Sequence, residues 1–139
     1  MSIQKLVENI KAKGNPTVAG LDARLEYIPD CLTEDIRREY GATLDGAANA
    51  MLRFNFGLID ALCDIVPAIK PQAAYYELLG PAGARVLRAT IRYAQDKGMY
   101  VIADIKRNDI GATASAYAEA YLGRSSVWGE ELPVDDCEA

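Results

Sequence analysis

The spacing of hydrophobic residues predicts alternating helices and short strands along most of the chain. Before the Gly-Asn-Pro sequence at 14–16, apolar residues recur at helical spacing and indicate a short amphipathic helix: Ile3, Leu6, Val7 and Ile10. The apolar run 17–21 that follows is typical of a buried strand, and it ends at Asp22. Further on, the Thr-Glu-Asp sequence 33–35 is placed to cap another short helix.

Two more helix and strand pairs follow. An apolar face and the absence of proline predict a long helix over residues 43–66. The short strand 68–71 must end at its proline, which cannot donate to a ladder, and Lys70 lies near its C-terminal end. The Gly-Pro-Ala-Gly sequence 80–83 begins the next helix; it lacks the lysine and serine of a phosphate-binding loop. Residues 99–104 form the clearest strand.

The last predicted helix runs from Asp109 to Gly123. Its apolar positions follow helical spacing: Ile110, Thr113, Ala114, Tyr117, Ala118 and Tyr121. Residues 124–139 have weak periodicity, a tryptophan and an acidic cluster. We interpret this segment as an acidic loop or a truncated end rather than a binding tail.

The alternation of helices with apolar strands predicts an α/β fold with a parallel sheet. Three such repeats fill about half of a (β/α)8 barrel, which usually has ~250 residues. We therefore expect residues 1–123 to be the N-terminal half of a barrel with open sheet edges, in a chain that is the N-terminal part of a longer enzyme.

Composition and charge remove several classes of function. The chain has 139 residues and a net charge of -5, but five acids lie in the last ten residues, so the rest is neutral and gives no footprint for nucleic acid or a membrane surface. No apolar run approaches the ~20 residues of a membrane span, and the charged N-terminus is unlike a signal peptide. We expect a cytoplasmic chain.

The lack of histidine and the spacing of the cysteines narrow the chemistry further. Without histidine, the chain has no Ser-His-Asp triad, no Cys-His pair and no His-containing metal site. Cys31, Cys63 and Cys137 have no Cys-x-x-Cys spacing, and we interpret them as reduced thiols. Acid–base chemistry must then use carboxylates, lysines or tyrosines.

Charged residues stand at the C-terminal ends of all three predicted strands, where parallel α/β proteins carry their sites: Asp22, Lys70 and Asp104. Alternation along the strand puts Asp104 and Lys106 on one side. With Lys70 and Asp109, two amines and two carboxylates could interleave, which keeps each lysine charged and suited to act as a general acid. The alternative is a surface salt-bridge network that contributes little to stability.

The segment 104–111, Asp-Ile-Lys-Arg-Asn-Asp-Ile-Gly, closely resembles the orotidine 5′-phosphate decarboxylase family. The sequences 18–22 and 69–72 and the Ala-Thr-Ala that follows support the resemblance, which extends from Thr17 to Leu122 and is nearest to the longer-chain bacterial branch. A bare Asp-x-Lys-x-x-Asp is less specific, because related sugar-phosphate decarboxylases and synthases share it.

The resemblance implies decarboxylation of orotidine 5′-phosphate to UMP and CO2 in pyrimidine synthesis, without a cofactor or metal, by a homodimeric barrel. It assigns roles residue by residue. Asp104 would lie against the substrate carboxylate, Lys106 would protonate carbon 6, Lys70 would bridge Asp104 and the ribose, and Asp22 would bind a ribose hydroxyl. Asp109, Ile110 and Thr113 would cross the interface into the other subunit's site.

Two other interpretations stay open. One is a metal-assisted sugar-phosphate decarboxylase or synthase of the same superfamily, which chelation would inactivate. The other is a non-catalytic fragment that works only with a separate C-terminal half. The residues that grip the phosphate and read the pyrimidine are expected after Ala139, so we expect the chain alone to be inactive.

Overall fold

The structure is a computed structural model that describes residues 3–134, and these form six α-helices, a 3₁₀ turn and five strands. The elements follow in this order: α1 (Ile3–Lys13), β1 (Val18–Leu21), the 3₁₀ turn (Leu25–Tyr27), α2 (Asp30–Tyr40), α3 (Leu44–Leu62), β2 (Ala68–Pro71), α4 (Ala73–Glu77), α5 (Gly80–Asp96), β3 (Tyr100–Val101), α6 (Gly111–Leu122), β4 (Arg124–Val127) and β5 (Glu130–Pro133).

Strands β1, β2 and β3 form a parallel sheet in that order, which confirms the predicted α/β class. The third strand is shorter than the predicted 99–104: β3 has two residues, and beyond it Gln72 and Asp104 form an isolated parallel bridge. In the described part of the chain β3 lies at the edge of the sheet, so only its side facing β2 is paired.

Helices cover one face of this sheet. Side chains from α3, α5 and alternate strand positions form a buried cluster on that face: Leu21, Ile59, Val66, Ile69, Ile91, Ala94, Met99 and Val101. The opposite face is partly open, since Val18 is 40% and Ile102 36% exposed. The apolar strand sequences predicted a sheet that is covered on both faces, but within residues 3–134 helices cover only one face.

Helix α1 packs at the amino ends of the strands. The buried Asn9 donates from Nδ2 to the carbonyl oxygens of Pro67 (3.2 Å) and Gly98 (2.9 Å), which lie just before β2 and β3. The Pro67 carbonyl also accepts from the Tyr100 N–H at 2.9 Å, so Asn9 joins α1 to the segments that precede β2 and β3. Helix α1 therefore lies at the opposite end of the sheet from the carboxyl ends of the strands.

Two helices differ from the sequence prediction. Helix α2 begins at Asp30, directly after Pro29, so Thr33 lies inside the helix and bonds the Asp30 carbonyl instead of capping an end. The one-turn helix α4 was not predicted, because five residues are too few to show a periodicity. The predicted long helix over 43–66 is α3 (Leu44–Leu62), and Thr43 caps it, since its Oγ1 accepts from the Gly46 amide at 3.0 Å.

The glycines of the 80–83 sequence serve helix packing. A Cβ placed on Gly83 would lie 1.7 Å from the carbonyl oxygen of Tyr76, so α5 contacts α4 closely only because residue 83 has no side chain. Gly80, with φ +57, adopts a left-handed conformation at the start of α5. Both positions agree with the interpretation of this sequence as the start of a helix.

A buried polar cluster lies between α3, α4 and α5. Asn55 donates from Nδ2 to the Tyr76 hydroxyl (2.9 Å) and to Thr90 Oγ1 (3.1 Å), and none of the three side chains is exposed. Burial raises the pKa of the Tyr76 hydroxyl to about 12. The cluster therefore fixes the packing of α4, which directly follows β2 and the site described below.

The C-terminal part of the described chain stands away from the core. Helix α6 has no buried residue; it begins at Gly111, two residues after the predicted Asp109, and ends at Leu122, just before the predicted Gly123. The predicted irregular loop from residue 124 is corrected: β4 and β5 form an antiparallel hairpin. Its two-residue turn, Trp128-Gly129, has positive φ at both positions, as hairpin turns of this length favour, but lacks the usual Asn-Gly or Asp-Gly signal.

The remaining predictions concern thiols and membrane spans. Cys31 and Cys63 are free thiols, and Cys137 lies outside the described residues. Among residues 3–134, no helix is long and apolar enough to cross a membrane.

Candidate active site

The carboxyl ends of the three parallel strands bring charged side chains together. Asp22 directly follows β1, Lys70 lies in β2, and Asp104 lies beyond β3 at its bridge with Gln72. Lys70 pairs in register with Gly20, and an atom added at the Gly20 Cβ position would meet Asp22 Oδ1 at 3.9 Å. A side chain at residue 20 would therefore make only an ordinary contact with Asp22.

The four charged groups form a chain in which acids and amines alternate. Lys70 Nζ lies 3.6 Å from Asp22 Oδ1 and 3.5 Å from Asp104 Oδ2. Asp104 also pairs through Oδ1 with the ammonium of Lys106. The side chain of Asp104 is 23% exposed and that of Lys106 is 68% exposed, so the array runs from a half-buried centre towards solvent. We name Asp22, Lys70, Asp104 and Lys106 the charge array.

Lys106 reaches Asp104 by a turn of the backbone. Its φ is +48, in the left-handed region that non-glycine residues rarely adopt. The sequence predicted that Asp104 and Lys106 would be neighbours by strand alternation, but no strand continues to residue 106. Asp104 and Lys106 are neighbours, as predicted, but the predicted reason, alternation along a strand, was wrong. Residues in such conformations are concentrated at functional sites, where surrounding contacts hold them.

Gln72 is an uncharged member of the site that the sequence did not indicate. Its Nε2 donates to Asp104 Oδ2 at 2.7 Å, a distance typical of a hydrogen bond to an ionised acceptor. The sequence 69–72 supported the family resemblance, but nothing in it showed what the glutamine contacts. The parallel bridge between residues 72 and 104 could not be read from the sequence, because the register of β2 and β3 fixes it.

Electrostatics in the array favour the ionised carboxylate at its centre. The Lys106 ammonium beside Asp104 is the main cause that holds the pKa of that carboxyl below its usual value. Partial burial opposes this effect, and the Lys70 charge adds to it. Asp104 therefore stays charged to lower pH than an ordinary aspartate.

Asp109 does not enter the array as the sequence suggested. Its Oδ1 accepts a hydrogen bond from the backbone N–H of Ile110 at 2.8 Å, and within residues 3–134 it forms no ion pair with Lys70 or Lys106. Asp22 takes the place of the second carboxylate. Ile110 is 86% exposed, and Thr113 lies exposed on α6. The three residues assigned to the subunit interface are thus all exposed.

Neighbouring features do not compete for the array. Arg107, next to Lys106, pairs with Glu77 of α4 and donates to the Ile105 carbonyl at 2.9 Å. An apolar cavity of about 760 Å3 lies along β3 and α5, and no member of the charge array lines it. Its lining is mostly apolar by area but includes the charged side chains Glu77, Arg85 and Arg88.

The array can supply proton transfer and electrostatic stabilisation. It presents two ammonium groups at fixed positions and two carboxylates that keep them in place. In residues 3–134 no three acidic or cysteine side chains lie close enough to hold a metal ion together. The arrangement suits a reaction in which negative charge develops beside a lysine.

Parallel strands with helices on one face and charged groups at their carboxyl ends are the arrangement found in part of an α/β barrel. The family described as "Orotidine 5'-phosphate decarboxylase / HUMPS family" has a model that matches residues 47–129. The chain therefore belongs to that family.

Curated relatives agree with this assignment. The chain is 45% identical over 122 residues to the orotidine 5′-phosphate decarboxylase of Rhodopirellula baltica, a match that covers 85% of this chain and 39% of the relative. It is 34% identical over 128 residues to that of Caldicellulosiruptor saccharolyticus, covering 92% and 42%. The chain spans about two fifths of the length of these relatives.

Solved structures show the same part of the barrel. A structure described as an orotidine-monophosphate decarboxylase from Toxoplasma gondii superposes with a TM-score of 0.68 at 26% identity, over 84% of this chain and 35% of that one. One described as an orotidine 5′-phosphate decarboxylase from Streptomyces avermitilis gives 0.64 at 33% identity, over 86% and 38%. The predicted fold class, part of a (β/α)8 barrel, is confirmed.

Proposed function

We propose that the charge array decarboxylates orotidine 5′-phosphate to UMP and CO2. The observation that carries the proposal is the alternation Asp22, Lys70, Asp104, Lys106 at the carboxyl ends of three parallel strands. Family membership and relatives named orotidine 5′-phosphate decarboxylase support it.

Lys106 has the central chemical role in this proposal. The bond between carbon 6 of the pyrimidine and the carboxylate breaks, CO2 leaves, and the electron pair remains on carbon 6. The Lys106 ammonium stabilises that negative charge and gives a proton to carbon 6. The lysine, left as a neutral amine, regains its proton from water. The proposal includes no cofactor, because it assigns both the stabilisation of the charge on carbon 6 and the proton to Lys106.

The other members of the array hold the reactants in place. Asp104 lies against the substrate carboxylate, and its charge favours loss of that group as neutral CO2. Lys70, which contacts both aspartates, bridges Asp104 and the ribose, and Asp22 binds a ribose hydroxyl. A metal-assisted reaction fits less well, because each carboxylate of the array is engaged by a lysine rather than grouped with other acids.

The proposal includes a homodimer in which Asp109, Ile110 and Thr113 enter the partner's site. Their outward position supports this: Ile110 is 86% exposed, and α6, which carries Thr113, has no buried residue. Asp109 accepts a hydrogen bond from the backbone N–H of Ile110 rather than pairing with the array. A cytoplasmic location stays a prediction.

The test follows the fall in ultraviolet absorbance of orotidine 5′-phosphate. We expect no decay with the 139-residue chain in stoichiometric excess. We expect decay with a chimera in which this chain replaces the matching 122 residues of the Rhodopirellula baltica enzyme. A folded chimera that binds the nucleotide but leaves it unchanged would contradict the proposal.

A further inference from the structure

Gln72 contacts the charge array although it carries no charge itself. Its side-chain amide lies 2.7 Å from Asp104 Oδ2, while the Lys70 ammonium lies 3.5 Å from the same oxygen. The amide is therefore the shorter of these two contacts to Oδ2. An ionised carboxylate only accepts hydrogen bonds, so the amide must direct its N–H towards Asp104.

The backbone holds residues 72 and 104 side by side. The N–H of Asp104 donates to the Pro71 carbonyl and the N–H of Ala73 donates to the Asp104 carbonyl, each at 3.1 Å. The two bonds enclose Gln72 and form the parallel bridge between residues 72 and 104. Neighbours in a parallel bridge direct their side chains to the same face of the sheet. The contact between Gln72 and Asp104 therefore follows from a fixed backbone.

The two oxygens of Asp104 have different partners. Oδ1 pairs with the Lys106 ammonium, and Oδ2 accepts from Gln72 and contacts Lys70. Lys70 is shared with Asp22 at almost the same distance, so it does not fix the rotation of the Asp104 carboxylate alone. Gln72 restrains that rotation without adding charge, and Oδ1 stays directed at Lys106.

We propose that Gln72 is a positioning residue that fixes the Asp104 carboxylate so that one oxygen faces Lys106 and the other faces Lys70. The effect of Gln72 on catalysis rests on the proposed decarboxylation. Its effect on the orientation of Asp104 does not, because that orientation can be measured without substrate.

Loss of the contact between Gln72 and Asp104 should shift the titration of Asp104 in a defined direction. Without the Gln72 donor, the charged form of Asp104 loses a hydrogen bond, so its titration midpoint rises. The charged groups that face Asp104 are Lys70 on β2 and Lys106 beyond β3, with Asp22 behind Lys70. These groups are the same in the variants below, so a change in the midpoint reports Gln72.

The test compares Gln72→Ala and Gln72→Glu with the unmodified 139-residue chain. The matched control is Gln4→Ala, which removes an amide that donates to Glu8 Oε1 at 3.3 Å on the exposed face of α1. The Asp104 carboxyl is followed by carbon-13 NMR while the pH is lowered. We expect the midpoint to move upward in Gln72→Ala, to move further in Gln72→Glu, where a like charge replaces the donor, and to stay in place in Gln4→Ala.

An Asp104 midpoint that stays at the wild-type position in both folded Gln72 variants would overturn the proposal. In the decarboxylating chimera, Gln72→Ala should lower kcat about ten- to a hundredfold with a smaller effect on KM, and should move the acidic limb of the pH profile upward. An unchanged kcat and pH profile would overturn the positioning role. If the unmodified chimera is itself inactive, the proposed function fails, while the titration still decides whether Gln72 positions Asp104.

Discussion

Glycine and alanine substitutions of Lys106 test the backbone turn that brings its ammonium to Asp104. The φ of +48 at residue 106 places a residue with a Cβ in the left-handed region. Both substitutions remove the ion pair with Asp104, so the loss of that contact cancels when the two variants are compared. What remains is the preference of the backbone conformation for glycine over alanine.

The magnitude follows from two opposing contributions. A left-handed conformation costs a residue with a Cβ about 1–2 kcal/mol, and glycine avoids this cost. Glycine also loses more chain entropy on folding, by about 0.5–1 kcal/mol relative to alanine. We expect Lys106→Gly to be more stable than Lys106→Ala by about 0.5–1 kcal/mol.

The assay is urea unfolding followed by far-ultraviolet circular dichroism at pH 7. Lys97 is the matched control, because it pairs with Asp60 but has a φ of -81. At position 97 the order should reverse, with glycine about 0.5–1 kcal/mol less stable than alanine. The reasoning is refuted if glycine is the less stable variant at both positions.

Three further predictions concern the core and the subunit interface. The unmodified chain should lose stability between pH 10 and 12, because the unfolded chain releases the Tyr76 phenol proton in this range while the folded state, with a raised pKa of about 12, keeps it. Tyr76→Phe has no such proton, so its free energy of unfolding, measured with urea, should fall by about 2–3 kcal/mol less over the same range. Gly83→Ala should lower the free energy of unfolding by about 3 kcal/mol or more, because the new Cβ would overlap the backbone of α4, whereas Gly57→Ala on α3, with open space around it, should raise it by about 1 kcal/mol. Mixing Lys106→Ala and Asp109→Ala chimeras should restore about a quarter of the activity, since half of randomly formed dimers then hold one intact site of two.

Each of these predictions has an outcome that contradicts it. An unchanged alkaline slope in Tyr76→Phe would show that the hydroxyl is not buried as described. If urea unfolding gave equal stability for Gly83→Ala and Gly57→Ala, the close contact between α4 and α5 at Gly83 would be contradicted. Two inactive chimeras that stay inactive after mixing and subunit exchange would show that Asp109 does not act across an interface.

Short-range signals in the sequence predicted most elements correctly. Pro71 ends β2 at the predicted residue because it has no N–H to donate. The long helix α3 begins within one residue of the predicted position 43, because its apolar spacing is a local signal. The contacts of Asp22, Lys70 and Asp104 were also foreseeable, because the carboxyl ends of parallel strands lie at one edge of the sheet.

Features that depend on distant parts of the chain could not be predicted from the sequence. The ladder between β3 and β2 ends before the apolar run 99–104 does, so that run alone did not show where pairing stops. The contact of Gln72 with Asp104 depends on register, and the replacement of Asp109 by Asp22 in the array depends on where the chain turns after Lys106. The hairpin at 124–133 depends on a Trp-Gly turn without a strong signal.

The most direct test of the central claim is a single-turnover measurement with the chimera and orotidine 5′-phosphate. The comparison is between Lys106→Ala, which removes the proposed proton donor, and Lys97→Ala, which removes an ion-paired lysine outside the array. We predict that the absorbance decay is abolished in Lys106→Ala and retained in Lys97→Ala, with both variants folded. A folded Lys106→Ala chimera that decarboxylates at the rate of the unmodified chimera would contradict the account.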